Sequence, residues 1–87
     1  MTEQQPTATQ IVDPKELAVA WVGEVLEESG VSAEDNFLDL GGHSVLALEL
    51  SGRVKERFGV DLDMQILFES SIGEAFADAV NRAESAK

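Results

Sequence analysis

At 87 residues the chain makes one domain, too small to enclose a deep substrate pocket. Apolar residues are 44% of it but aromatics only 6%, so the core rests on Leu, Val, Ile and Ala around Trp21, Phe37, Phe58, Phe68 and Phe76, while the lack of cysteine excludes disulfides, thiolate metal sites and a cysteine nucleophile. A formal charge of −11 repels nucleic acid and anionic membranes, and leaves solubility and attraction to basic protein surfaces as its two uses.

Residues 1–12 are polar, contain Pro6 and show little periodicity, which predicts a mobile tail before a domain spanning 13–84, with a second short tail over 85–87. That opening lacks the basic and apolar regions of a signal peptide, and no apolar run approaches the roughly 20 residues of a bilayer span, so the expected location is cytoplasmic. Asp13-Pro14-Lys15-Glu16 joins an N-cap, a proline at the first helical position and a glutamate placed to close a capping box. Leu17, Ala18, Trp21, Val22, Val25 and Leu26 then recur at helical spacing, and Ser29-Gly30 is a stop signal, so a first helix is predicted over 14–29.

From Val31 to His43 no period is sustained, yet Val31, Phe37, Leu38 and Leu40 predict an ordered loop that drops apolar anchors into the core. Gly41-Gly42 permits a sharp entry into a second helix over 44–58, in which Leu46, Leu50 and Val54 form a stripe with Ala47 and Phe58 beside it. Gly59 ends this helix, and Arg53, Lys55 and Arg57 fall in its last two turns, where the helix dipole favours positive charge. Asp63 caps a short third helix over 64–69. Ser71-Ile72-Gly73-Glu74 is a further capping box opening a last helix over 72–84, with Phe76, Ala79, Val80 and Ala83 on one side. No segment alternates as a β-strand does, and the expected fold class is all-α.

Ser44, Val45, Leu48, Gly52 and Lys55 lie broadly opposite the stripe of the second helix, so two aliphatics face outward beside a serine. Leu48 is equally readable as packing on the preceding loop or on the short helix. Glycine within a helix costs about 1 kcal/mol relative to alanine, and a tight internal contact or a tolerated cost explains Gly52 more simply than a partner's close approach. Pattern alone favours Ser44 as a helix cap, although the same position suits a phosphate ester, because free N–H groups and the positive end of the helix dipole stabilise an anion there. His43 is the sole histidine, and adjacent turn residues rarely meet in nucleophile–base geometry, which leaves it a solvated loop residue or a contact for a partner. No metal-ligand spacing and no phosphate-cradling glycine loop is present.

The stretch Asp35-Asn36-Phe37-Leu38-Asp39-Leu40-Gly41-Gly42-His43-Ser44 resembles the phosphopantetheine attachment motif of peptidyl carrier proteins, the thiolation domains of nonribosomal peptide synthetases. Its Leu-Gly-Gly-His-Ser core is specific, Arg53 to Asp61 and Leu67-Phe68-Glu69 also resemble the family, and the likeness covers about residues 14–82. The resemblance implies a four-helix bundle of the acyl carrier protein type, with a long loop between the first two helices and a short third helix. It implies a 4′-phosphopantetheine arm on Ser44, with Gly42 and His43 beside it in the attachment site, and no catalysis by the chain itself. Implied partners are a phosphopantetheinyl transferase, an adenylating enzyme, and tailoring, condensing or thioesterase enzymes, acting on a monomer through Val45 and Leu48 with Met64 and Leu67 near the short helix. The chain begins with Met and lacks an adenylation or condensation domain, so the expected form is a free-standing carrier.

Two features depart from the family. Glu49 stands where peptidyl carriers often have a basic residue, and Glu69-Ser70-Ser71-Ile72 is shorter and lacks a proline often found there. The overall acidity leans toward the acyl carriers of fatty acid and polyketide pathways, but those more often carry Asp-Ser-Leu at the attachment site. Gly42-His43-Ser44-Val45 decides for the peptidyl type.

Overall fold

The structure is a computed structural model, and it describes residues 13–85. The predicted tail over 1–12 lies outside the described residues. Four helices follow in order, α1 (Pro14–Leu26), α2 (Ser44–Phe58), α3 (Met64–Glu69) and α4 (Ile72–Ser85), and among the described residues there is no strand. The all-α expectation holds.

Local chemistry sets the helix starts. The Asp13 carboxylate accepts from the Lys15 amide at 3.0 Å and Pro14 occupies the first turn of α1. Asp63 accepts from the Gln65 and Ile66 amides at 2.9 and 3.2 Å to open α3, and the Ser71 hydroxyl accepts from the Glu74 amide at 3.1 Å to open α4. Each of these side chains satisfies an amide that the helix leaves without a partner.

The first helix ends three residues earlier than predicted, at Leu26 rather than 29. Glu27 takes the left-handed conformation at φ 56°, and the Glu28 amide folds back to the Gly23 carbonyl at 2.9 Å. This is a Schellman-type closure with glutamate in the position that glycine usually fills. Gly23 carries the signal instead, since a Cβ there would meet the Glu28 carbonyl oxygen at 3.0 Å.

Ala18 and Val22 of α1, Ala47, Leu50 and Val54 of α2, Leu67 of α3 and Ile72, Ala75, Phe76 and Ala79 of α4 form a single buried core with Phe37 and Leu62. Trp21, partly buried against it, joins three helices, its ring 6.0 Å from Phe76 in an edge-on arrangement and 6.3 Å from Phe58. Such aromatic contacts add about 0.5–1.5 kcal/mol beyond the area they bury.

The loop between α1 and α2 is tied down at both sides. Its carbonyls at Ala33 and Asp35 accept from the first two amides of α4, Gly73 at 2.8 Å and Ile72 at 2.9 Å. Phe37 is fully buried, while Val31 and Leu40 pack against the core from its edge. Leu38 departs from the expectation. It is 50% exposed, because the tight turn that buries Phe37 points its neighbour outward.

Candidate functional site

The loop enters α2 through a compact turn. The Phe37 carbonyl accepts from the amides of Leu40 at 3.2 Å and Gly42 at 3.0 Å, and the Leu38 carbonyl accepts from Gly41 at 3.0 Å. The two glycines do different work. Gly41 sits at φ 94°, a conformation that side-chain-bearing residues rarely adopt. Gly42 is needed for space, since a Cβ there would fall within the contact surface of the Phe37 ring. Gly42 is itself buried, and its lack of a side chain lets the ring close beneath the turn.

His43 is the N-cap residue of α2, extended at φ −144° and ψ 179°, and its side chain makes no capping hydrogen bond. Ser44 is therefore the first helical residue and not the cap that pattern alone favours. Its side chain is exposed, and among the described residues its hydroxyl makes no hydrogen bond, with His43 or with anything else. The first turn of α2 contains no acidic residue, so the positive end of its dipole is not offset locally.

One face of α2 is thus an exposed strip running from the serine. Val45 is 68% and Leu48 67% exposed, whereas Leu50 and Val54 of the predicted stripe are buried together with Ala47 beside it, and Leu46 is half-buried at the edge of the core. Gly52 lies further along the same outward face with nothing within 4 Å of the position its Cβ would take, which excludes the tight internal contact as its explanation. Leu38, not singled out for this surface in the sequence, adds a third exposed aliphatic on the turn just ahead of the serine.

Leu67 is a correction. Expected as a partner contact, it is fully buried in the core, on the side of the six-residue α3 that packs inward, and α3 rests against α4. Met64 is half-buried and packs on the edge of the core, leaving part of its side chain accessible.

Asn36, which no pattern in the sequence singles out, holds the turn in place. Its carboxamide oxygen accepts from the amides of Leu38 at 2.9 Å and Asp39 at 3.2 Å. Its nitrogen donates to the carbonyls of Phe68 at 3.0 Å and Ser70 at 2.7 Å, at the far end of α3. Asparagine in a turn is a recognisable signal for the first pair of bonds, but nothing local announces the second.

Among the described residues the surface carries shallow clefts. One of about 390 Å³ is lined by Lys15, Glu16, Val19, Ala20 and Ala33, another of about 380 Å³ by Trp21, Arg53, Glu56 and Arg57, and neither includes Ser44. Among the described residues no group of three or more His, Asp or Glu side chains is placed to hold a metal ion.

A small helical bundle that turns one unpaired serine outward at a helix mouth, on a rigid turn and beside exposed aliphatics, has the architecture of the acyl carrier protein class. The family described as the phosphopantetheine attachment site matches residues 16–80, and the chain belongs to that family. Its members carry phosphopantetheine. The chain is 43% identical over 72 residues to the phosphinothricin tripeptide synthetase PhsB of Streptomyces viridochromogenes, a stretch that is 83% of this chain and 6% of that protein. It is 40% identical over 62 residues to a dimodular nonribosomal peptide synthase of Bacillus subtilis, 71% of this chain and 3% of that one. The chain therefore spans only a small fraction of these relatives. A solved structure of the phosphopantetheine transferase Sfp in complex with coenzyme A and a peptidyl carrier protein contains a chain of matching fold, with a TM-score of 0.68 and 27% identity over 83% of this chain and 92% of that chain.

Proposed function

We propose that this chain is a peptidyl carrier unit of nonribosomal peptide synthesis, which bears phosphopantetheine on the Ser44 oxygen and holds an aminoacyl or related acyl group as a thioester on that arm. The observation that carries the reading is the Ser44 hydroxyl itself, exposed and without a hydrogen-bond partner among the described residues, at the first position of a 15-residue helix whose opening turn has no acidic side chain. Ser44 fits the group. A phosphodiester placed there meets free backbone N–H groups and the favourable end of the dipole, and an arm leaving from an exposed residue has open solvent around it.

In the attachment step the serine oxygen forms a bond to the phosphorus of the pantetheine phosphate as the pyrophosphate linkage of coenzyme A breaks. Adenosine bisphosphate leaves, and the hydroxyl proton passes to a base of the transferase. The chain supplies the oxygen and its placement, and it catalyses neither this step nor the later loading. An adenylating enzyme would then load the thiol, and condensing, tailoring or thioesterase enzymes would act on the tethered group. A cytoplasmic location suits a protein that draws on coenzyme A and on adenylated acids.

The docking surface in this reading is Val45 and Leu48 with the accessible part of Met64, while His43 is placed to touch a bound enzyme or the arm. Two exposed aliphatics on one helix face beside the reacting residue support it, since such residues bury well against a partner and gain nothing from water.

The test is intact mass spectrometry after incubation with coenzyme A and a broad-specificity phosphopantetheinyl transferase. The parent gains one phosphopantetheinyl unit and Ser44→Ala gains none; an unmodified parent, or a modified Ser44→Ala, would refute the assignment. Leu48→Glu keeps the helical circular dichroism spectrum and slows modification several-fold, and unchanged kinetics would remove Leu48 from the interface.

A further inference from the structure

The core fixes the body of α2 through Ala47, Leu50 and Val54, but its first residues lie ahead of that anchor. No side chain caps them. The placement of Ser44 therefore depends on the turn that delivers it, and beside the backbone bonds of Ala33 and Asp35 to α4 that turn is tied to the end of α3 by one side chain. Asn36 is part-buried and bridges two regions more than thirty residues apart in sequence, through bonds of 3.0 and 2.7 Å from its nitrogen to the Phe68 and Ser70 carbonyls. Its oxygen at the same time holds the Leu38 and Asp39 amides. Beneath the turn the Phe37 ring fills the space left by Gly42, so a shift at Asn36 passes directly to the ring and through Gly42 to Ser44. α3 has no basic residue in its last turn to take over those carbonyls.

We propose that Asn36 is a positioning residue for the modification of Ser44: by stapling the turn to the end of α3 it holds the serine hydroxyl in one reactive geometry. The inference rests on Ser44 being the attachment residue. It assigns to Asn36 an effect on the rate of transfer, distinct from any effect on folding, because displacement of a reacting oxygen by an ångström slows a reaction in which the docking contacts remain intact.

Asn36→Asp isolates the staple. The carboxylate still accepts from Leu38 and Asp39 but has no hydrogen to give to Phe68 and Ser70, whereas Asn36→Ala loses both sets of bonds. Ser32→Ala serves as a control, since it removes a hydrogen bond to the Glu34 amide in the same loop but away from the turn. Each variant is assayed with coenzyme A and the transferase at a temperature well below its own melting midpoint. Both Asn36 variants are expected to lose roughly tenfold in kcat with KM little changed, and Ser32→Ala to match the parent.

Unchanged kcat in Asn36→Asp would overturn the proposal and leave Asn36 a purely structural residue, whatever its effect on melting. A rise in KM alone would assign it to docking and overturn the proposal equally. A loss confined to Asn36→Asp and abolished by salt would be an effect of the added charge, and it too would overturn the proposal. The mass of the parent protein reports separately on the proposed function, so a parent that takes no phosphopantetheine overturns that reading as well and is told apart from a failure at Asn36.

Discussion

The two ends of α2 are built on opposite plans. At the C-terminal end every available device is present: Gly59 closes the helix, Lys55 pairs with Asp61 at 3.6 Å, Arg53 reaches Glu24 of α1 at 2.7 Å, and the Arg57 guanidinium lies 5.6 Å from the Phe58 ring centre. At the N-terminal end the N-cap residue is a histidine with no capping bond, and the serine beside it is unpaired. The contrast shows where local stability was conceded. A capped N-terminus would be steadier by about 1 kcal/mol, but its amides would already be occupied when a phosphate arrived.

The open end is held by what lies beneath it, and the largest expected effect comes from disturbing that support. Gly42→Ala forces a methyl group into the Phe37 ring and should lower stability by about 1–3 kcal/mol, the usual range for overpacking, measured by urea unfolding. Gly42→Ala combined with Phe37→Leu should recover part of the loss. If Gly42→Ala alone is neutral, the ring is not what fixes the turn, and the open end has some other support.

Closing the mouth is the next test. His43 has the extended backbone of an N-cap residue, so His43→Asp supplies a capping carboxylate without altering the chain path. It should raise stability by about 1 kcal/mol and slow phosphopantetheinylation, because the new carboxylate occupies the amides and repels the incoming phosphate. A variant that is steadier and equally fast would show that these amides take no part in the transfer.

Both plans are visible in the sequence to different depths. The bounds of α2 and α3 and the outward set of Ser44, Val45, Leu48 and Gly52 follow from periodicity and caps, which act over a few residues. Periodicity makes α1 three residues too long because its terminator is Glu27 in a left-handed conformation, not a glycine, and the informative residue is Gly23 inside the helix. Leu67 is misplaced on the surface because that expectation came from the family resemblance, and a six-residue helix has too few turns for periodicity to correct it. Asn36 is legible only in its turn bonds to Leu38 and Asp39, since its other partners, Phe68 and Ser70, lie more than thirty residues away in sequence. The motif marks the residue proposed to react, and only the tertiary contacts mark the residue proposed to hold it.

The smallest effect is expected at the well-furnished end. Arg53 contacts Glu24 at 2.7 Å and Glu49 at 3.9 Å, but the guanidinium is more than a third exposed and Glu24 more exposed still, so solvent screens both pairs. Arg53→Ala should cost no more than about 1 kcal/mol, and part of that comes from uncovering the flank of Trp21, whose cleft Arg53 shares. A double-mutant cycle with Glu24→Ala separates the two contributions, because only the pairwise ion interaction appears in the coupling term. A coupling well below the total cost would assign the remainder to packing and to the longer contact with Glu49. A coupling that accounts for the whole cost and vanishes in high salt would reverse that ranking, and would make charge pairing the principal fastening of α2 to α1 at the end remote from Ser44.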